Sequence, residues 1–245
     1  MHRIMTNTYD LPLTDDRLNL AASFVRPGCV VCDVGTDHAY LPIRLLLSGV
    51  CPRAVVSDVN AAPLAKAKEN AARYGCTSRM SFYLADGLSG MDLAGENVKD
   101  ILICGMGGEL IARILENEPY TREEGVKCVL QPMSKAADLR EYLARRGYRI
   151  EDEKLAGAAG KVYTCIHVSY DGIVRDFTPG EYLLGVAHIQ RGSAGNPLFA
   201  DYLIREIRSV EKRQKGLLAG ELPTDFEDAL LSELYTVAER EGVAL

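Results

Sequence analysis

The sequence predicts a doubly wound α/β fold, with a mainly parallel sheet that ends in an antiparallel hairpin and a helical C-terminal appendage. Three observations carry this expectation. Short, apolar, β-branched runs alternate with stretches of helical periodicity between residues 29 and 146. Those runs are apolar on both faces, as strands covered by helices on either side must be. The last two strand-like runs are separated by a Gly-rich turn too short for a crossover, so they pair as antiparallel neighbours.

Residues 14–25 alternate polar and apolar positions at helical spacing behind Thr14, an expected N-cap, and Pro27-Gly28 stops the run. Strands are expected at 29–34, 54–59, 80–84, 101–104 and 126–130, with helices at 40–47, 61–74, 109–115 and 135–146 between or after them. Ser134 is the expected N-cap of the last helix and Gly147 its C′ residue. The hairpin is then expected from strands 148–155 and 162–168 about the turn 156–161. A parallel sheet closing in this way is the arrangement of Rossmann-like class I methyltransferases. From Tyr170 onward Gly172, Pro179, Gly180, Gly192, Gly195 and Pro197 punctuate the chain. Two amphipathic helices follow at 198–218 and 226–241, joined through Gly220 and Pro223. The expected division is a catalytic domain over 1–169 and a helical, coiled-coil-like domain over 170–245.

The 245 residues carry 28 Lys plus Arg and 34 Asp plus Glu, a formal charge of −6, with 47% apolar and 25% charged residues. This is the composition of an ordinary globular protein. No apolar run approaches the roughly 18 residues of a spanning helix, and residues 1–20 carry charge instead of a signal-peptide core. The expectation is a cytoplasmic protein with no membrane association and no evident obligate protein partner. Seven scattered cysteines do not suggest a disulfide framework, and Cys29 and Cys32 point to opposite faces of one strand. His2, His167 and His188 fit no ligand spacing, so no metal is expected. Residues 1–168 hold 20 basic and 21 acidic side chains and residues 169–245 hold 8 and 13, so only a local basic face could attract nucleic acid.

In an open α/β sheet ligands bind beyond the carboxyl ends of the strands. Four turns there carry chemistry. Asp33-Val34-Gly35-Thr36-Asp37-His38 offers an acid at a strand tip and a Gly that permits close backbone approach, which suits a ligand with an amino group beside a carboxylate, such as S-adenosylmethionine. The Gly-x-Gly-x-x-Gly of a pyrophosphate loop is missing, which argues against a nicotinamide cofactor. Asp58-Val59-Asn60 places a carboxylate where two ribose hydroxyls can donate to it. Asp86-Gly87 provides an acceptor for an adenine amino group, with room for the ring. Cys104-Gly105-Met106-Gly107-Gly108 brings bare backbone close to cofactor and acceptor.

The strings Asp33-Val34-Gly35-Thr36-Asp37-His38-Ala39-Tyr40-Leu41-Pro42, Ala85-Asp86-Gly87-Leu88, Ile103-Cys104-Gly105-Met106-Gly107-Gly108 and Leu130-Gln131-Pro132 resemble, in order and spacing, the bacterial TrmK-type tRNA methyltransferases. That resemblance spans residues 14–168 and implies S-adenosylmethionine-dependent methylation of N1 of adenine 22 in tRNA. It implies a cofactor site of Asp33, Gly35, Thr36, Asp37, His38, Asp58, Val59, Asn60, Asp86, Gly87, Cys104 and Gly105. Gly105, Met106, Gly107 and Gly108 would then lie between methyl donor and target base, near Gln131 and Pro132. The family commonly continues Gln-Pro with Asn, whereas this chain has Met133, which can pack against a flat ring but cannot hydrogen-bond its edge through an amide.

N1 of neutral adenine has an in-plane lone pair, so transfer needs alignment more than a base. Positive charge develops on the adenine, and Asp37, or carbonyls around Gly105 and Met106, would accept from its N6 hydrogens. Tyr40 offers a stacking face for an unstacked base. For phosphates, Arg145 and Arg146, with Arg140 and Arg149 nearby, form one basic cluster. Arg205, Arg208 and Lys212 belong to another on the first C-terminal helix. Methylation of another RNA, a small molecule or a protein, or non-catalytic nucleoside binding, are the alternatives that the residues leave open.

Overall fold

In the computed structural model, which describes residues 12, 14–193 and 195–245, helix α1 (Asp16–Ser23) is capped by Asp15, whose side chain accepts the Leu18 N–H. The cap therefore lies one residue past Thr14, whose hydroxyl bonds Asn19 instead. His2 lies outside the described residues. Strand and helix then alternate: β1 (Val30–Val34), α2 (Tyr40–Leu47), β2 (Ala54–Asp58), α3 (Ala61–Arg73), β3 (Met80–Leu84), β4 (Val98–Gly107), α4 (Gly108–Asn117), β5 (Lys127–Ser134) and α5 (Ala136–Arg145). The hairpin strands β6 (Tyr148–Ala158) and β7 (Lys161–Tyr170) follow.

The seven strands form one sheet in the order β3-β2-β1-β4-β5-β7-β6, parallel except for β7, which runs against both of its neighbours. Alternate residues of the central strands point to opposite faces, so each face has its own core. Val31, Val56, Leu102 and Val129 pack under α1, α2 and α3. Cys32, Val55, Ile101, Ile103 and Leu130 pack under α4 and α5. All seven cysteines are free thiols.

Three local details differ from the sequence expectation. The hairpin turn is only Ala159-Gly160, with φ of 49° and 71°, the two left-handed residues of a type I′ turn whose twist matches the strands. Strands β4 and β5 run on to Gly107 and Ser134, which pair with each other. Ser134 is therefore a strand residue, and α5 starts from Lys135 in a left-handed conformation without a side-chain cap. Gly147, at φ 80°, does stand just past α5.

Four helices follow the sheet: α6 (Pro179–Leu184), α7 (Val186–Arg191), α8 (Pro197–Ala219) and α9 (Asp225–Glu241). The two short ones were not expected from the punctuated sequence. A reciprocal capping box between Thr178 and Glu181 starts α6, and Gly185, at φ 112°, separates it from α7. The long pair pack on each other and on Leu155 of β6 through Phe199, Leu203, Leu230 and Leu234. Polar contacts add to this junction. The fully buried Arg140 of α5 donates to Glu153 of β6 at 2.6 Å and to the carbonyls of Tyr182 and Leu183 at 2.9 and 3.1 Å. Glu153 accepts the Ala187 N–H at 3.0 Å with its other oxygen, so both charges are hydrogen-bonded as well as paired. Among the described residues no helix is long and apolar enough to cross a membrane.

Candidate active site

The chain direction reverses across the sheet between β1 and β4, and the crevice outside their carboxyl ends is where an open α/β sheet binds ligands. A cleft of about 260 Å³ lies there, lined by Asp33, Gly35, Thr36, Asp37, His38, Tyr40, Cys104 and Gly105, all expected site residues, together with Arg17 and Leu18 of α1.

The turn after β1 is held in a demanding conformation. Gly35, Asp37 and Ala39 have φ of 67°, 48° and 58°, and left-handed backbone is costly for the last two. Two N–H groups, of Gly35 and Thr36, donate to the Ser57 carbonyl at 2.9 and 3.0 Å. Buried Asn70 of α3 donates its amide to the His38 carbonyl at 2.9 Å. Helix α2 starts from Ala39 without a side-chain cap, so Asp37 is not consumed as a cap. Its side chain is 71% exposed, with one oxygen 3.8 Å from His38 Nε2, while His38 Nδ1 is buried without a hydrogen-bond partner among the described residues.

Asp33 is buried, and among the described residues its hydrogen-bonding neighbour is the Thr36 hydroxyl at 2.6 Å. Burial pushes this carboxyl up to about 7, partly offset by that hydrogen bond. A buried acid of this kind is suited to an incoming ammonium group, which would restore its charge.

The opposite wall is built from paired irregularities in β4 and β5. Cys104 pairs with Gln131, Met106 with Pro132 and Gly107 with Ser134, so Gly105 and Met133 are left out of the ladder. Gly105 takes φ 77°, and a β-carbon on it would meet nothing within 4 Å. Its N–H, unpaired in the ladder, donates to Gln131 Oε1 at 3.1 Å. That same oxygen accepts from Arg17 at 2.6 Å, and Gln131 Nε2 donates to the Pro132 carbonyl at 3.0 Å. Fully buried and committed at both ends of its amide, Gln131 holds the wall of the cleft. Met133, 43% exposed, presents its side chain outward.

The three glycines of this segment do different things. Gly105 borders open space, whereas a β-carbon on Gly108 would lie 2.2 Å from the Lys135 carbonyl oxygen, and one on Gly107 would touch Ser134. Gly108 thus permits α4 to pack on the loop after β5. Met106 lies against Gly35 on the other side of the crevice.

Beyond Gly35 the expected nucleoside residues form a ledge. Asp58 is buried, and one carboxylate oxygen accepts the Asn60 N–H at 2.8 Å, leaving the other available. Val59 and Leu84, 61% and 62% exposed, are apolar surfaces at adjacent strand ends, and Asp86 is exposed beside them. A β-carbon on Gly87 would meet Ile114 at 3.0 Å, so this Gly serves close packing with α4 as well as its φ of 65°.

The basic clusters separate. Because α5 returns antiparallel to β5, its last turn lies at the far end of the sheet from the cleft. Arg145 and Arg146 are there, paired with Glu141 and Glu116, so the structure does not bring them to the site. Arg140 is buried in its ion pair and Arg149 pairs with Glu151. Arg205 lines a second cavity next to Met133, while Arg208 and Lys212 are exposed on α8 outside its lining. Among the described residues no three His, Cys, Asp or Glu side chains group as a metal site.

A family model described as a methyltransferase domain matches residues 14–166. The chain is 33% identical over 166 residues to the tRNA (adenine(22)-N(1))-methyltransferase of Bacillus subtilis, covering 64% of this chain and 68% of that one. The chain belongs to the TrmK-type tRNA (adenine-22 N1) methyltransferase family. The similarity to TrmK-type structures extends over the C-terminal helices. The B. subtilis m1A22 tRNA methyltransferase TrmK aligns with a TM-score of 0.76 at 26% identity, covering 95% of this chain and 97% of its own. Streptococcus pneumoniae Sp1610 in complex with S-adenosyl-L-methionine aligns at 0.78 and 30%, covering 92% and 99%. The Streptococcus protein is thus known with S-adenosyl-L-methionine bound, and in this chain the buried Asp33, the open backbone at Gly105 and the apolar ledge at Val59 have the chemistry to fit the amino, sulfonium and nucleoside portions of such a molecule.

Proposed function

We propose that the chain methylates N1 of adenine 22 in tRNA at the mouth of the cleft between β1 and β4, with residues 1–169 carrying the chemistry and 170–245 forming a helical unit beside it. When bound, S-adenosylmethionine supplies an activated methyl group on a sulfonium. Asp33 would hold the ammonium of its amino-acid end and Arg17, on the same cleft, its carboxylate. Asp58 would accept from the ribose, with Val59 under the adenine and Asp86 at its amino group. Gly35, Thr36, His38, Asn60, Gly87 and Cys104 complete this surface.

The observation that carries the acceptor side is the Gly105 bulge, fixed by Gln131 with open space before it, on the same cleft as the exposed Asp37. A flat base entering there meets bare backbone and a carboxylate. As N1 gains its methyl group, positive charge spreads to N6, and Asp37 or the carbonyls of Gly105 and Met106 would accept its hydrogens more strongly than before transfer. Tyr40, whose ring centroid is 5.6 Å from that of His38, borders the same opening and would stack on the base. A tRNA substrate supports the reading of a cytoplasmic protein.

Incubation with methyl-labelled S-adenosylmethionine and unmodified tRNA, followed by nucleoside analysis, tests this reading. Label should appear in 1-methyladenosine and vanish when adenine 22 is replaced by guanine. Label in another nucleoside, or cofactor binding with no label in RNA, would overturn it.

A further inference from the structure

We propose that the groove between the β5–α5 loop, the tip of the β6–β7 hairpin and α8 holds the RNA strand flanking the target nucleotide; this rests on the tRNA methylation reading above. The groove has a volume of about 470 Å³ and runs from Pro132 and Met133 past Lys135 and Tyr163 to Arg205 and Arg213. It is continuous with the cleft through one side chain. Arg17 lines the cleft, and its NH1 lies 3.2 Å from Met133 Sδ while its guanidinium sits 5.4 Å from the Tyr163 ring centroid. A base inserted at Gly105 would therefore leave its neighbouring backbone at the mouth of this groove, where the Arg17–Tyr163 stack offers a surface on which a second base can lie.

The charge of the lining fits a polyanion. Four basic side chains face two acidic ones there, on a chain whose net charge is −6. Lys161, exposed at the hairpin tip, has no ion-pair partner among the described residues. Lys135 has only exposed partners, Asp138 at 3.3 Å and Glu109 at 3.9 Å, and pairs of that kind exchange readily for a phosphate. These two lysines stand on opposite banks, one on the β5–α5 loop and one on the hairpin, so an extended strand lying between them is neutralised from both sides. Phosphate contacts of this type fix the register of a nucleic acid without reading its sequence.

The test is the full-length double variant Lys135→Ala/Lys161→Ala, in which neither residue belongs to the cofactor or acceptor machinery. Its affinity for tRNA should fall by about fivefold or more near 0.1 M salt, and the dependence of log Kd on log salt should become shallower by about 1 to 2, the slope expected for two lost phosphate contacts. Affinity for S-adenosylmethionine should be unchanged, which also shows that the variant is folded. In addition, a benzoylphenylalanine in place of Lys161 should cross-link to nucleotides adjoining position 22. Unchanged tRNA affinity and salt slope, or cross-links confined to a distant part of the tRNA, would overturn the proposal. If the unaltered protein neither binds tRNA nor labels adenine 22, the methylation reading fails instead, and that control separates the two.

Discussion

Met106 and Gly35 face each other across the crevice so closely that a β-carbon on residue 35 would lie 2.3 Å from the terminal methyl carbon of Met106. The Met106 methyl is the end of a flexible side chain and can shift, but φ at 67° disfavours any side chain at this position. Gly35→Ala should destabilise the protein by about 1–2 kcal/mol through left-handed strain. This corresponds to a fall in Tm of roughly 2–8 °C for a chain of this size, and affinity for S-adenosylmethionine should drop at least severalfold. Shortening the neighbour in Gly35→Ala/Met106→Ala should not recover the stability, since the strain lies in the backbone and Met106 also packs on the core under α4. Calorimetric titration and thermal melts of the three proteins decide this, and an unaltered Kd in Gly35→Ala would remove the turn from the cofactor site.

Asp33 gives the site a pH dependence. Its carboxyl is raised from the ordinary 3.8 to about 7 by burial, so between these values the folded, cofactor-free chain holds a proton that the unfolded chain has lost. The associated stability is fully present below about pH 4 and is lost as pH rises through about 7. Cofactor binding has the opposite preference, because the ammonium requires the ionised acid. Affinity should rise from pH 6 to 8, and binding at pH 6.5 should release a proton, measurable in two buffers of different ionisation enthalpy. Asp33→Asn should bind poorly, show no proton release and, without cofactor, melt above the unaltered protein at pH 8.

The role proposed for Arg17 at the amino-acid end requires its release from Asp15, with which it pairs at 2.6 Å. Arg17→Met should weaken S-adenosylmethionine binding severalfold while leaving 5′-methylthioadenosine, which lacks the amino acid, nearly unaffected. Equal losses for both ligands would mean that Arg17 acts only by bracing Gln131.

Gln131 tests the acceptor wall. In Gln131→Leu the Gly105 N–H loses its acceptor, at a cost of about 1–3 kcal/mol if it stays buried. The turnover number should fall tenfold or more, with a smaller change in cofactor Kd. Gln131→Glu retains acceptors for Gly105 and Arg17 but sets an oxygen against the Pro132 carbonyl, so it should restore the rate only in part. Equal kinetics in Gln131→Leu would show that the bulge needs no clamp.

Arg140 and Glu153 supply a stability prediction away from the chemistry. Arg140→Met leaves a buried carboxylate without its partner and should cost about 3–5 kcal/mol in urea unfolding. The double variant Arg140→Met/Glu153→Met should cost less than Arg140→Met alone.

The sequence made the alternation of β1 through α5 legible because each strand is apolar on both faces, and α2 spans residues 40–47 as its periodicity indicated. The cleft was legible for a related reason: strand tips are local features, and the fold rule brings those of β1 and β4 together. Arg17 was not, because it meets Gln131 across 114 residues and nothing in α1 distinguishes it from a solvated arginine. Asn70 likewise looks like an ordinary polar residue of α3 until its bond to the His38 carbonyl is seen. The Gly-rich string after Ile103 suggested a loop, but ladder pairing continues through it with skipped residues, a property of register that composition does not carry. Arg145 and Arg146 lie away from the cleft because of the direction in which α5 returns, which a count of charge does not carry.

The Arg140–Glu153 pair also bears on how substrates are sorted. By fastening α6 and α7 to the sheet it sets the spacing between α8 and the β5–α5 loop before any nucleic acid arrives. The protein then offers a fixed template, and the cost of distortion falls on the tRNA. Transcripts whose helical stem opens easily around nucleotide 22 should be turned over fastest, so that discrimination among tRNAs arises from their own pliancy.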